Sequence, residues 1–167
     1  MPKFAICNET FGDWPWERLC RFVAETGYDG VELAPFEFGP SVEELSREDR
    51  REIARVARDA GLEIVGLHWL LVSPPGMHLN GPDPEVRGRT LDYLRALVHF
   101  CGDVGGRVMI FGSPKQRWVT DDVTREQAWE WTAEAFRLVM PDAANRGVTL
   151  CMEPLPPPES NFIVNTT

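Results

Sequence analysis

The chain has 167 residues, enough for one domain with a sizeable core, and its hydrophobic (43%) and charged (26%) fractions are ordinary for a globular protein. A formal charge of −9 disfavours nucleic acid as a partner, because binding a phosphate backbone needs basic surface that releases counterions. No apolar run reads as a membrane span or signal peptide, and cysteines 7, 20, 101 and 151 form no CxxC pair, so buried free thiols in a cytoplasmic setting are expected.

The opening strand is predicted at residues 3–7, with Asn8 at its end. A first helix starts near Asp13, with Pro15 in its tolerant first turn and an apolar stripe of Leu19, Phe22 and Val23. Glu25-Thr26-Gly27 closes it, and the strand Val31-Glu32-Leu33 comes next. Ser46 caps a second helix, with Asp49 supporting its first turn and Ile53, Val56, Ala57 and Ala60 facing inward. After Asp59-Ala60-Gly61 comes the strand Ile64-Val65-Gly66-Leu67, with His68 near its C-terminal end.

Asp83-Pro84 opens a third helix that buries Leu91, Leu94, Val98 and Cys101. Val104-Gly105-Gly106 ends it ahead of Val108-Met109-Ile110-Phe111. Thr124 and Gln127 suggest a capping box for a fourth helix, with Trp131, Ala135 and Leu138 inward and Pro141 predicted to kink or divide it. Asn145-Arg146-Gly147 leads into the last strand, Val148-Thr149-Leu150-Cys151-Met152, which ends in Glu153.

Five strands alternating with four helices imply right-handed crossovers and a parallel sheet covered by helices. The strand-to-helix connections 70–82 and 112–122 are long and the helix-to-strand turns tight, as in α/β proteins that place chemistry beyond the strand C-termini. The turn from Cys7 to Gly12 has no glycine-rich phosphate loop. The repeat is compatible with an open five-stranded sheet or with an incomplete (β/α)8 barrel.

Glu153 is the leading candidate for chemistry. Pro154 stops ladder hydrogen bonding directly after it, and a carboxylate at a strand C-terminus can bind a divalent cation or move a proton beside a carbonyl. His68 can ligate, shuttle a proton or bond a hydroxyl, with a structural histidine as the plainer reading. Lys115 and Arg117, beside Ser113, suit a carboxylate or phosphate on a substrate, unless they are a solvated basic loop. Asn8 can touch a sugar, Trp14 or Trp69 can pack on its apolar face, and Glu32 reads as a strand-end hydrogen-bond partner.

The phrases Asp29-Gly30-Val31-Glu32-Leu33, Gly66-Leu67-His68-Trp69, Gly106-Arg107-Val108-Met109-Ile110-Phe111-Gly112-Ser113 and Thr149-Leu150-Cys151-Met152-Glu153-Pro154 run along essentially the whole chain. Together they resemble the xylose-isomerase-like sugar isomerase/epimerase superfamily. The resemblance implies that residues 1–167 form one domain, the N-terminal part of a TIM barrel lacking the last three βα units. It implies a metal-dependent sugar or sugar-phosphate isomerase or epimerase working through an enediolate. Glu153 would be metal ligand and acid/base, with manganese, magnesium, cobalt or zinc as the cation. Glu159, six residues on, matches a sugar-contacting glutamate of the ketose 3-epimerases, although the run of prolines between departs from their pattern.

In the resembled family the remaining ligands lie on strands six to eight, so this chain alone is expected to be inactive. Self-association or a complementary chain is expected to cover the unfinished sheet. A non-enzymatic barrel fragment or interaction module is the main alternative. A relative of the abasic-site DNA-repair endonucleases is a further one, disfavoured by acidity and sparse histidines.

Overall fold

The computed structural model describes residues 2–166. Its strands are β1 (Ala5–Cys7), β2 (Gly30–Leu33), β3 (Glu63–Leu67), β4 (Val108–Phe111) and β5 (Thr149–Met152). Between them run α1 (Trp16–Glu25), α2 (Arg47–Asp59), α3 (Pro84–Asp103) and α4 (Arg125–Arg146). Three helices begin where their caps predict. The Ser46 hydroxyl accepts from Asp49 N at 3.1 Å while the Asp49 carboxylate accepts from Ser46 N at 2.8 Å. Asp83 accepts from Glu85 N at 2.8 Å, and Thr124 from Gln127 N at 3.2 Å. Each side-chain oxygen occupies an amide that the first turn leaves unpaired.

All four strand pairs are parallel, and the order is β1-β2-β3-β4-β5. Val31, Leu33, Ile64, Leu67, Met109 and Phe111 pack with Leu19, Val56, Leu94, Val98 and Val139 between the sheet and the helices. Side chains alternate along a strand. The opposite face of the sheet therefore presents Ala5 and Cys7, Glu32, Val65, Ile110, Gly112, Cys151 and Glu153. That face is open, and Val65 on it is 38% exposed. A shift of register between Val31 and Glu32 pairs Val31 with Ile64 but Glu32 with Gly66. The extra residue, Val65, is a bulge that re-aims the remainder of β3.

Several expectations change. α1 starts at Trp16 with Pro15 at its N-cap, rather than near Asp13. Phe22 and Leu138, each 44% exposed, do not point inward. Phe22 instead joins a surface aromatic cluster, its ring 5.4 Å from Trp14 and 6.0 Å from Phe11. Pro141 does not divide α4, which runs unbroken through it because Val139 and Ala143 on either side are fully buried against the core. A proline removes one amide donor there, and that packing outweighs the loss.

The cysteines split into two pairs. Cys20 and Cys101 are buried, and burial pushes both thiols up to about 12. Cys7 and Cys151 are only half-buried, because they belong to the open face. Thiolate is the reactive form, and at pH 8 a group titrating near 12 carries it in about one molecule in ten thousand. A chromogenic thiol reagent should therefore label Cys7 and Cys151 in the native protein, and Cys20 and Cys101 only after denaturation. Peptide mapping checks this, and native labelling of Cys20 as fast as Cys151 would contradict it.

Candidate functional site

The polar groups on the open face collect where its strands end. His68 comes directly after β3, and its backbone amide donates to Leu33 O at 2.8 Å, extending the β2–β3 ladder by one residue. Its ring lies between two carboxylates: Nδ1 is 3.2 Å from Glu32 Oε2, and Nε2 is 3.7 Å from Glu153 Oε2. The Cys7 sulfur, and after it Glu32, favours the imidazolium and raises the His68 pKa to about 10 against opposing burial. Trp69 stacks beside the ring, with centroids 5.7 Å apart. The Trp69 backbone, at φ 55°, occupies the left-handed region that an aromatic residue rarely adopts. Such strain is concentrated at functional positions.

Glu153 projects from the end of β5, its side chain 36% exposed. Its amide donates to Phe111 O at 3.1 Å. A Cβ on Gly112 would collide with the Glu153 carboxylate, so the glycine makes the room this side chain occupies. From below, Arg117 Nη2 donates to Glu153 O at 2.8 Å and Nη1 approaches Met152 Sδ at 3.3 Å. Arg117 is fully buried, and its Nε has no partner. Its place is under the strand end, where it anchors the backbone that carries Glu153.

The other sequence candidates are dispersed. Asn8 is buried at 3% exposure, and its Oδ1 accepts from Ala34 N at 2.6 Å, tying the end of β1 to the end of β2. Lys115 and Glu159 are exposed. Ser113 is buried and accepts from Leu71 N at 3.3 Å, joining the loops after β3 and β4. The structure thus brings Glu153 and His68 together, adds Cys7 and Glu32 to them, and gives Asn8 and Arg117 backbone-holding contacts. Cys7 was not singled out from sequence. The only sequence signal for the group is that Cys7, Glu32, His68 and Glu153 each sit at a strand C-terminus.

As a site for a divalent cation, Glu153 offers an accessible carboxylate oxygen with an imidazole beside it. A hard cation takes six or more oxygens. The described residues next to Glu153 supply one carboxylate and one ring nitrogen, so Glu153 fits as one ligand of a larger set.

A sequential parallel sheet, with helices on one face and polar groups clustered at the strand C-termini on the other, defines a part of a (β/α)8 barrel. The chain belongs to the xylose isomerase-like TIM barrel family, whose model matches residues 20–167. It is 25% identical over 154 residues to fructoselysine 3-epimerase of Shigella flexneri, covering 90% of this chain and 53% of that protein. A D-psicose 3-epimerase with D-tagatose from Clostridium cellulolyticum H10 superposes with a TM-score of 0.79 at 21% identity, over 97% of this chain and 55% of that one. A family 2 AP endonuclease from Brucella melitensis superposes at 0.67 with 24% identity, over 93% and 56%. The chain therefore spans about half the length of the relatives it matches. None of the helices among the described residues is long and apolar enough to cross a membrane.

Proposed function

We propose that this chain contributes the β1–β5 side of a metal-dependent isomerase or epimerase site for a sugar or sugar phosphate. The observation that carries the reading is Glu153, a carboxylate on the open face at the end of β5, with His68 Nε2 3.7 Å away. When bound there, a divalent cation (manganese, magnesium, cobalt or zinc) would supply Lewis acidity to the substrate's carbonyl and neighbouring hydroxyl oxygens. Glu153 would be one ligand of that cation and would hold the proton taken from the carbon beside the carbonyl. His68, held by Glu32, presents Nε2 toward Glu153 at 3.7 Å and would donate from it to a substrate hydroxyl. Glu159 and Lys115 reach a sugar from the loops after β5 and β4, Lys115 at a charged end. Asn8 and Arg117, first read as sugar contacts, position the ends of β2 and β5.

Return of the proton to the opposite face needs a second acid/base group. The chain alone is therefore expected to show no turnover. Fused to strands six to eight of fructoselysine 3-epimerase, it should epimerise a ketose in the presence of manganese and incorporate solvent deuterium at the epimerised carbon. Glu153→Gln should lower that rate by about a thousandfold or more. Undiminished exchange in that variant would refute the assignment.

β1 and β5 each keep one edge unpaired within the five-stranded sheet, and Phe4 and Met152 beside those edges are exposed. Unpaired edges template association. The proposal accordingly includes self-association or a complementary chain in a cytoplasmic setting that keeps the thiols reduced. Sedimentation should show a dimer or larger species at micromolar concentration, and a clean monomer would count against it.

A further inference from the structure

We propose that Cys7, Glu32 and His68 bind a borderline divalent cation of the zinc class, at a site separate from the one read at Glu153. The three side chains come from the ends of β1, β2 and β3 and are all half-buried. One ligand atom from each lies within 4.8 Å of the other two. They converge because the Val65 bulge sets Glu32 opposite Gly66, and so brings His68 one residue closer to it than an unbroken register would.

The spacing suits zinc. Bonds of about 2.0–2.1 Å to nitrogen and oxygen and 2.3 Å to sulfur give tetrahedron edges of roughly 3.3–3.6 Å. The Glu32 Oε2 to His68 Nδ1 separation of 3.2 Å is already close to such an edge. The Cys7 sulfur, within 4.8 Å of both, closes in on the cation to complete the triangle.

The ring has two distinct ends. Nδ1 faces Glu32, while Nε2 faces Glu153 Oε2 at 3.7 Å. With the cation on Nδ1, the Nε2 proton points at a carboxylate, the arrangement that fixes the tautomer of a ligating histidine and raises its basicity. Glu153 then serves this site from outside its ligand set and keeps its second oxygen free.

A thiolate, an imidazole and one carboxylate select zinc or cobalt over magnesium or calcium, which require oxygen. Three protein ligands leave the fourth position open toward the uncovered face, as in zinc sites that bind water or substrate. Loading releases the proton of the Cys7 thiol and the one on His68 Nδ1, leaving a thiolate and a neutral imidazole as ligands.

Cobalt(II) titration of the full chain tests this without any turnover. One equivalent should produce a thiolate-to-cobalt charge-transfer band in the near ultraviolet and intense visible bands of a tetrahedral ion, both bleached by zinc. Cys7→Ser should abolish the near-ultraviolet band, and Glu32→Gln should weaken binding about a hundredfold or more. Cys151→Ser and Glu153→Gln should keep the band, and far-ultraviolet circular dichroism should match for all variants. Absence of the band, or its persistence in Cys7→Ser, overturns the proposal. Survival of the cobalt band in Glu153→Gln separates this site from the one read at Glu153, and its loss in that variant overturns the separation.

Discussion

Gly66→Ala should be the most damaging single methyl in the protein. Its added carbon would overlap the Val108 carbonyl oxygen and stand 2.7 Å from the carbonyl carbon and 3.0 Å from the Val108 nitrogen. Every obstacle is backbone of the paired strand, so no side-chain rotation relieves the overlap. The β3–β4 pairing, Gly66 with Val108 and Leu67 with Met109, must part or shear. A loss on the order of 3–5 kcal/mol is expected, read as a fall in the urea midpoint or as insoluble protein. Gly112→Ala is the informative contrast. Its methyl would meet the end of the Glu153 side chain, which can swing aside. That variant should keep nearly all its stability and lose the placement of the carboxylate. Equal midpoints for the two variants would refute this account of the strand contacts.

Arg117→Ala is expected to cost about 3–5 kcal/mol, from the emptied volume and the stranded acceptors at the end of β5. Arg117 is among the largest fully buried side chains, and burial lowers its pKa while the charge of Glu153 opposes that. Its Nη2 contact with Glu153 O is charge-assisted, a class worth about 1.5–3 kcal/mol. Arg117→Met fills most of the space without the donors, so it should recover roughly the difference. Urea unfolding with an unchanged slope measures both. If alanine and methionine proved equally mild, the strand end would be held by something other than this guanidinium.

Much of the scaffold was legible because its signals are local. Ser46, Asp83 and Thr124 carry caps within three residues, and the glycines at 27, 61, 105 and 147 take positive φ just after their helices. Periodicity also found the buried sides of α2 and α3. It failed at Phe22 and Leu138, which border the buried stripe, where tertiary neighbours rather than spacing decide the direction. Glu153 and His68 were visible as strand-end polar groups. The contact of His68 with Glu32 and Cys7 was not, because it depends on a one-residue bulge whose sole sequence mark is Gly66 inside β3. Arg117 reads from sequence as a substrate contact or a solvated loop charge, since nothing local says that its turn folds beneath β5. A buried guanidinium is legible only once its acceptors are in place.

The strictly sequential sheet bears on how the molecule is made. Each strand after the first joins the one that precedes it in the chain, with one α-helix between them, so no pairing waits for a distant segment. At about 5–20 residues per second a ribosome exposes each new strand only seconds after its neighbour. The sheet can therefore assemble in the order of translation, each finished unit a template for the next. Glu153, directly after the last of the five strands, meets His68 only when that succession is complete.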